Sequence, residues 1–529
     1  MDIVFRGATV VDGDATPRYP ADVGIDAGRI SMIDAPGTLS ATRVIDAEGL
    51  VLAPGFIDMH SHSDLRLLAE PDHLAKVSQG VTLEVLGQDG LSYAPVNDTV
   101  LAALREQLAG WNGDPAGFDW NWRSVGEYLD RLDQGIAVNA AYLVPQGTVR
   151  MLHVGWDNRP PTDAELSAMC ATLAESMREG AVGLSSGLTY TPGMYADDEE
   201  LVALCRVIGE HGGYYSPHHR SYGAGALAAF AEMIEVSRRS GCPLHLAHAT
   251  MNFPENAGRA EELLALLDTA IAEGADITLD TYPYLPGATY LSALLPSWAT
   301  EGGLSATLAR LSDQDTRERI RREIEETGSD GCHGVPIDWN WIEINGVRNE
   351  RNAHLVGHTV GDSARHVGIQ PIELYFDTLI AENLGTSCLM HIGDEHNVRT
   401  IMRHATHTAG SDGLLCGDRP HPRAWGTFPR YLARYVRELG VLGLEECVAH
   451  LTGRAADRLK LTDRGRVRLG HAADLVVFDP DTVTDLATFA EPRQPAAGIP
   501  YVLVNGVPVI DDGRPTGALP GRAIRGTGH

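Results

Sequence analysis

The feature that most limits the fold of this chain is a long alternation of short apolar runs with helical stretches. Helical segments at 199–210, 226–240 and 260–273 have apolar residues at three- and four-residue spacing, and strand-like runs lie between them. Such an alternation indicates βαβ units and a parallel sheet. Eight candidate strands, which predict a closed barrel, end near His62, Asp89, Gln146, Ser185, His218, His248, Asp280 and Asp412.

The two ends of the chain have a different pattern from the middle. Residues 1–54 and 465–529 alternate short β-branched runs with Gly-Asp, Pro-Gly and Asn-Gly turns, which is typical of β-strands. We therefore expect an α/β protein, a (β/α)8 TIM barrel over residues 55–464 with a small β-sandwich domain built from both chain ends. Residues 285–410 separate the last two candidate strands, and a connection this long predicts an insertion or lid region beside the active site.

Charge and hydropathy limit the partners of the chain. The net charge of -29 and the pI of about 5.0 argue against a nucleic-acid partner, because such binding needs clustered Lys and Arg. No run of 18 apolar residues and no signal-like N-terminus is present in the sequence, so we expect no membrane partner and a cytoplasmic location. A small-molecule substrate is the expected partner, and a homo-oligomer is compatible with these observations.

The first candidate strand ends in two histidines, within Pro-Gly-Phe-Ile-Asp-Met-His-Ser-His-Ser-Asp at 54–64. Because successive strand side chains point to opposite faces, His60 and His62 lie on one side and can bind one cation. The active site of a (β/α)8 barrel lies at the carboxyl ends of its strands. Taken singly, strand-end residues are also found as satisfied core groups or helix caps. Together the set predicts a metal site, whose further members are Asp89, His218, His248 and Asp412.

Further motifs extend along nearly the whole chain. They are Gln-Gly-Val-Thr at 79–82, Gly-Gln-Asp-Gly at 87–90, Gly-Leu-Ser-Ser-Gly-Leu at 183–188, Asp-Thr-Tyr-Pro-Tyr at 280–284, Gly-Ser-Asp-Gly at 410–413, His-Pro-Arg at 421–423, Gly-Thr-Phe-Pro-Arg at 426–430 and Ala-Ala-Asp-Leu-Val-Val-Phe-Asp at 472–479. With segment 54–64, this set resembles the N-acyl-D-amino-acid deacylase (D-aminoacylase) family of the amidohydrolase superfamily.

The resemblance implies two metal positions and one catalytic aspartate. It assigns His60 and His62 to one position, His218 and His248 to the other, and Asp412 to catalysis. Asp89 falls where many relatives have a metal-binding cysteine, and a carboxylate is a harder ligand that can bridge two ions. We expect Zn²⁺, as one or two ions, with Co²⁺ or Mn²⁺ as alternatives.

The implied reaction is metal-dependent hydrolysis of the amide bond of N-acyl-D-amino acids, or of related D-residue amides. A water activated by the metal attacks the carbonyl, and Asp412 acts first as general base and then as general acid. Guanidinium groups and phenols bind carboxylates, so the substrate-binding candidates are Arg423, Tyr284, Tyr282, Tyr190, Arg150 and Arg220, with His421 beside them. Arg423 and Tyr284 are the first choices. Thr250 stands where relatives often have a lysine, which leaves the carboxylate-binding residue open.

Two alternatives remain at this point. A cyclic-amide hydrolase of the hydantoinase or dihydropyrimidinase kind uses the same barrel, but such enzymes generally have a carboxylated lysine at a strand end. The fourth-strand segment at 180–185 contains no lysine, which disfavours this reading. The other alternative is a non-catalytic interaction scaffold, which should have lost metal ligands, whereas all six positions here are His or Asp.

Overall fold

The computed structural model describes residues 1–526, and its centre is a barrel of eight parallel strands. The barrel closes where the Met59 N–H donates to the Ala409 carbonyl at 3.0 Å and the Asp412 N–H to the His60 carbonyl at 2.8 Å. The predicted (β/α)8 barrel is thus confirmed. Its strands are β1 (Phe56–Asp58), β2 (Val81–Leu86), β3 (Asn139–Pro145), β4 (Gly183–Gly187), β5 (Tyr214–His218), β6 (Leu244–Leu246), β7 (Ile277–Thr281) and β8 (His407–Ala409).

Helices cover the outside of the barrel, so its strands are buried on both faces, as β2 shows along its whole length. Helix Ala226–Ser240 buries Phe230, Met233 and Val236, and ends at Gly241 in the left-handed conformation that favours glycine. No helix within residues 1–526 is long and apolar enough to cross a membrane. The helices outside the insertion are Arg66–Ala69, Leu74–Val77, Asp98–Gln107, Ala109–Asn112, Val125–Leu132, Gln146–His153, Asp163–Arg178, Gly193–Tyr195, Asp198–Glu210, Ala226–Ser240, Pro254–Asn256, Ala260–Ala272, Arg423–Arg430, Tyr431–Glu438, Leu444–Leu451 and Gly453–Arg458.

Both chain ends join in one nine-stranded sheet, separate from the barrel. Its side chains alternate between two cores: Leu475 and Val477 pack within the sheet's own apolar cluster, and Val476 packs against the barrel core. The sheet curls until the Ile30 N–H donates to the His471 carbonyl at 2.9 Å. The strands are Ile3–Val10, Tyr19–Asp26, Arg29–Asp34, Arg43–Asp46, Val51–Pro54, Leu475–Phe478, Tyr501–Val504, Val507–Asp511 and Arg514–Pro515.

The long connection between β7 and β8 folds around an apolar cluster of its own. Its four strands, Gly287–Tyr290, Ile342–Gly346, His358–Thr359 and Ser387–Met390, form an antiparallel sheet. Its helices are Leu291–Leu294, Ser297–Thr300, Leu304–Leu311, Gln314–Arg322, Glu323–Thr327, Glu350–Leu355, Val360–Val367, Pro371–Ala381 and Glu395–Ile401. The connection is therefore a folded unit beside the carboxyl ends of the strands.

Candidate metal centre

Six histidine and aspartate side chains meet at the carboxyl ends of the barrel strands. They form two groups that share one residue: His60, His62, Asp89 and Asp412 in the first, and Asp89, His218 and His248 in the second. Within each group, one potential ligand atom from every residue lies within 4.8 Å of the others. All six are buried, and the most exposed, His218 and Asp412, are only 7% exposed. The structure thus brings together every metal ligand predicted from the sequence.

Asp89 lies between the two groups. Its Oδ1 is 3.5 Å from the Nε2 atoms of His60 and His248, and its Oδ2 is 3.5 Å from His62 Nε2 and His218 Nδ1. Burial raises the pKa of this carboxyl, but the surrounding histidines outweigh that effect and hold the pKa well below its usual range. Asp89 is therefore ionised, and its two oxygens face both pairs of histidines.

The cluster contains buried polar atoms that nothing in the described chain satisfies. Both ring nitrogens of His60 and the Oδ1 of Asp89 have no hydrogen-bond partner. His218 Nδ1 lies 3.1 Å from His248 Nε2, so two imidazole nitrogens face each other. Buried groups of this kind are normally paired, and imidazole with carboxylate is a donor set for Zn²⁺, Co²⁺ or Mn²⁺. The residues present therefore fit a divalent metal centre.

Neighbouring side chains contact His218 and His248 at the ring nitrogens that face away from Asp89, and so orient the two rings. His218 Nε2 is 2.7 Å from Thr189 Oγ1, and His248 Nδ1 is 2.9 Å from Tyr222 Oη. Partners of this kind select the ring nitrogen that remains free for a metal. Here they leave Nδ1 of His218 and Nε2 of His248 facing Asp89. Sequence reasoning missed Thr189 and Tyr222, since both lie in loops with no motif to mark them.

Asp280, at the end of β7, lies beside a third histidine of the cluster, His60. Its Oδ2 is 3.7 Å from His60 Nδ1 and 3.0 Å from His245 Nε2, and its Oδ1 accepts the His248 backbone N–H at 2.9 Å. Burial raises the pKa of Asp280, but the hydrogen bond with His245 and the nearby His60 ring outweigh that effect and lower the pKa. The sequence marked Asp280 as a strand end without assigning it a role, although its position among the other strand-end ligands was a usable signal.

Asp412 is held by a buried arginine. Arg423 Nη2 is 2.8 Å from Asp412 Oδ2, and His62 Nε2 is 3.1 Å from Asp412 Oδ1. Burial raises the Asp412 pKa, but Arg423 and then His62 outweigh it, so the pKa lies below its usual range. The guanidinium lies 4.4 Å from the centre of the Tyr282 ring, and its Nε and Nη1 have no hydrogen-bond partner among the described residues. The Asp412 carboxylate is therefore ionised, and its contacts with Arg423 and His62 fix its orientation.

The backbone at the cluster is unusual. Asp89, His248 and Asp412 have φ values of 55°, 30° and 48°, in the left-handed region that residues other than glycine rarely adopt. Close packing adds a further constraint, since a Cβ on Gly410 would lie 2.5 Å from the Cβ of His60. Strained conformations of this kind concentrate at functional sites, where the surrounding structure holds them in place.

A cavity of about 680 Å³ opens beside the cluster, and we name it the metal cavity. The insertion supplies part of its wall, including Thr289, His333 and Met390. Tyr190 and Tyr282, both predicted to bind substrate, also line it. Sequence reasoning missed Trp111, which lines the cavity with its ring centre 4.9 Å from that of His62. Within residues 1–526, no Lys or Arg is among the lining residues.

Five of the predicted substrate-binding residues lie outside this lining and have other partners. One is Arg423, which is fully buried and paired with Asp412. Arg150 is ion-paired with Glu200, Arg220 with Glu232 at 2.6 Å, Tyr284 donates to Asp485 at 3.5 Å, and His421 Nε2 lies 3.0 Å from the Pro286 carbonyl. His421 still touches the site indirectly, because its Nδ1 accepts the backbone N–H of Arg423 at 3.0 Å. The structure therefore does not place these five side chains in the lining of the metal cavity.

Comparison with known sequences gives matches along the whole chain. Residues 43–510 match the model of the amidohydrolase family. A D-aminoacylase from Alcaligenes xylosoxydans xylosoxydans is 35% identical over 528 residues, which is 100% of this chain and 98% of that protein. An N-acyl-D-glutamate deacylase from the same organism is 35% identical over 99% of this chain and 96% of that protein.

Solved structures give the same result. A D-aminoacylase, described with a binuclear metal centre that one metal activates and a second attenuates, matches with a TM-score of 0.83, 33% identity and 99% coverage of both chains. The N-acyl-D-glutamate deacylase of Bordetella Bronchiseptica, complexed with zinc and a phosphonate inhibitor, matches with a TM-score of 0.84, 33% identity and 99% coverage of both. A D-hydantoinase shares only the fold, with 15% identity, a TM-score of 0.55 and coverage of 99% and 98%.

Proposed function

The chain belongs to the N-acyl-D-amino-acid deacylase family of amidohydrolases, and we propose that it hydrolyses the linear amide bond of N-acyl-D-amino acids. One observation supports this most strongly: an ionised Asp412, fixed by Arg423, adjoins a buried set of histidines and carboxylates that fits a divalent metal. This arrangement combines a proton acceptor with a site for an electrophile, as amide hydrolysis requires. We further propose zinc at this centre, with Asp89 between two metal positions.

The chain's own residues supply the proton transfers. A divalent cation, when bound, lowers the pKa of water towards ~7 and polarises a carbonyl oxygen. Asp412 accepts a proton from the attacking water, because Arg423 and His62 keep its carboxylate ionised. It then donates that proton to the amine nitrogen as the C–N bond breaks, because an unprotonated amine is a poor leaving group. The products are a free D-amino acid and a carboxylate.

We assign the α-carboxylate of the substrate to Arg423 and Tyr282. Tyr282 lines the metal cavity, and its ring stacks on the guanidinium of Arg423. Arg423 itself is fully buried outside the lining, and its Nε and Nη1 are donors without a partner among the described residues. Thr250 also lines the cavity, and a hydroxyl there offers one hydrogen bond where relatives often have a lysine. This assignment places the amino-acid half of the substrate on the Asp412 side of the centre.

The side chain of the amino acid is proposed to be uncharged. Apart from the cluster carboxylates, the lining includes no charged Lys, Arg, Asp or Glu side chain among the described residues. His333 does not supply a cation, because burial lowers its pKa to about 3. An acidic side chain would lose its hydration without gaining a partner. Apolar neighbours such as Leu294, Met390 and Ile392 favour neutral D-amino acids.

The domain boundaries are part of the proposal. We assign residues 1–54 and 465–526 to one composite domain and 55–464 to the catalytic barrel. Residues 527–529, included in the predicted composite domain, lie outside the described residues. The insertion at 285–410 is proposed as the fixed wall of the substrate site, supported by the lining positions of Thr289, His333 and Met390.

The deciding experiment compares N-acetyl-D- with N-acetyl-L-amino acids, using protein loaded with zinc, cobalt or manganese. We expect turnover of neutral D-substrates such as N-acetyl-D-methionine, and at least about tenfold slower turnover of N-acetyl-D-glutamate. Metal analysis of the purified protein tests the scaffold alternative, which predicts no bound metal. Metal-loaded protein that hydrolyses neither the D- nor the L-set would refute the proposed reaction.

A further inference from the structure

A second open cavity, of about 1000 Å³, adjoins the metal cavity, and we name it the outer cavity. The two cavities share Thr189 and Ala293 in their linings. Most of the large side chains around the outer cavity are apolar, namely Trp156, Met194, Tyr290, Leu295, Leu304 and Leu384. Glu106 is the one charged side chain among its described lining residues. The cavity is open to solvent, and its lining also includes hydroxyl and amide side chains such as Thr300 and Gln107. With large apolar side chains and no cationic side chain among the described lining residues, it is suited to an uncharged chain and unfavourable for an anion.

Aromatic packing makes the wall continuous between the two cavities. The ring of Tyr290, which lines the outer cavity, lies 5.4 Å from that of Trp111 and 5.2 Å from that of Tyr190. Trp111 and Tyr190 both line the metal cavity. An apolar group that begins beside the metal cluster can therefore pass into the outer cavity along one aromatic surface.

The junction lies on the acyl side of the reaction centre. Thr189, one of the two shared residues, hydrogen-bonds His218, whereas Arg423 and Tyr282 lie on the side of Asp412. Asp412 must protonate the amine, so the amino-acid half of the substrate faces Asp412. The acyl half then points towards His218 and the junction.

The rim of the outer cavity contains a strained backbone segment. Asn383 and Leu384 are consecutive residues with φ values of 53° and 61°. Asparagine tolerates the left-handed region, but a bulky leucine adopts it only where the surroundings impose it. Both residues line the outer cavity.

We propose that the outer cavity is an acyl-chain site, and that the substrates are N-acyl-D-amino acids with a medium or long uncharged acyl chain. The proposal rests on the proposed function and extends it to the identity of the acyl group. Binding the tail requires no charged contact, since burial of its methylene groups drives the interaction.

The first test varies the acyl chain on one D-amino acid, from N-acetyl through N-butanoyl and N-octanoyl to N-decanoyl. We expect kcat/KM to rise roughly threefold for each added methylene until the outer cavity is filled. A flat or falling series would overturn the proposal. A second series keeps the acetyl group and lengthens the amino-acid side chain instead. An equal rise of kcat/KM in this second series would also overturn the proposal.

Two matched variants locate the effect. Leu304→Glu introduces a carboxylate into the outer cavity, and Leu308→Glu introduces one a turn later on the same helix, at a half-buried position that does not line it. We expect Leu304→Glu to lower kcat/KM for the N-decanoyl substrate at least tenfold and to leave the N-acetyl substrate unchanged. Leu308→Glu should retain the full chain-length preference. Equal behaviour of the two variants would refute the assignment.

A binding measurement tests the acyl-chain site independently of the proposed reaction. Calorimetric titration of the Asp412→Asn variant with N-decanoyl- and N-acetyl-D-alanine measures affinity without turnover. Tighter binding of the decanoyl compound supports the acyl-chain site even if the native protein hydrolyses neither compound, an outcome that would refute only the reaction. Normal turnover with equal affinities would refute only the acyl-chain site.

Discussion

Replacing Lys76 by methionine should lower the free energy of unfolding by about 3–5 kcal/mol, the cost of removing one partner from a buried ion pair. Lys76 is fully buried, with its Nζ 2.5 Å from Asp58 Oδ2, 3.0 Å from Glu84 Oε1 and 2.8 Å from Ser411 Oγ. Methionine preserves most of the apolar stem. The loss in the free energy of unfolding should therefore come from the carboxylates left without a cationic partner, and not from a cavity.

The contacts of the two carboxylates show where this cost arises. Glu84 keeps His73 at 2.6 Å after the substitution, together with the hydroxyl of Ser61. Among residues 1–526, Asp58 keeps only the backbone N–H groups of His60 at 3.2 Å and Ser411 at 2.8 Å. Most of the penalty should therefore come from Asp58. Neutralising it in Lys76→Met/Asp58→Asn should recover part of the loss, with a coupling energy of about 1–3 kcal/mol.

Urea denaturation of metal-saturated protein, followed by tryptophan fluorescence, gives the midpoints for this cycle. The matched control is Lys460→Met, which removes the chain's other lysine from an exposed position and should change stability by less than about 0.5 kcal/mol. A loss below about 1 kcal/mol for Lys76→Met, or strictly additive single substitutions, would show that this buried network does not stabilise the β1 and β8 ends as argued.

Three further perturbations test the centre itself. Asp412→Asn should lower kcat at least about 100-fold while mass spectrometry still detects bound metal, and retained activity would remove Asp412 from the mechanism. Asp280→Asn should weaken metal binding roughly 10- to 100-fold in equilibrium dialysis, because His60 loses its orienting carboxylate; an unchanged affinity would contradict that role. Removal of the metal by a chelator should lower the thermal midpoint, and re-addition at 100 times its Kd should restore about 2.7 kcal/mol. A thermal midpoint that does not change when metal is removed or added again would argue against a native metal centre.

The sequence predicted the barrel and the positions of its ligands for a physical reason. Strand direction and side-chain alternation are set by local periodicity, and parallel strands place all their carboxyl ends at one mouth of the barrel. His60, His218 and Asp412 needed no further information to be brought together. The same reasoning placed the helix at Ala226–Ser240 with its observed bounds.

Other features of the site depend on tertiary contacts that no local pattern encodes. Arg150 was a reasonable carboxylate-binding candidate, yet it pairs with Glu200, which lies 50 residues away. Tyr222 comes four residues after His218 along a loop, and only the path of that loop brings its hydroxyl to His248. Side chains on loops therefore had to be located from the structure.

The position of Asp89 implies that the two metal positions differ in what holds them. It is the one carboxylate of the group with His218 and His248, whereas the group with His60 and His62 also contains Asp412. A cation beside two neutral imidazoles depends strongly on a nearby anion, so a cation beside His218 and His248 would rely on Asp89 alone for compensation of its charge. Each Asp89 oxygen faces one histidine from each group. A cation bound at one position would therefore interact with the same carboxylate that a cation at the other position needs. If both proposed positions bind a cation, they would be coupled through this one side chain, and the group that includes Asp412 would be better able to hold a cation alone.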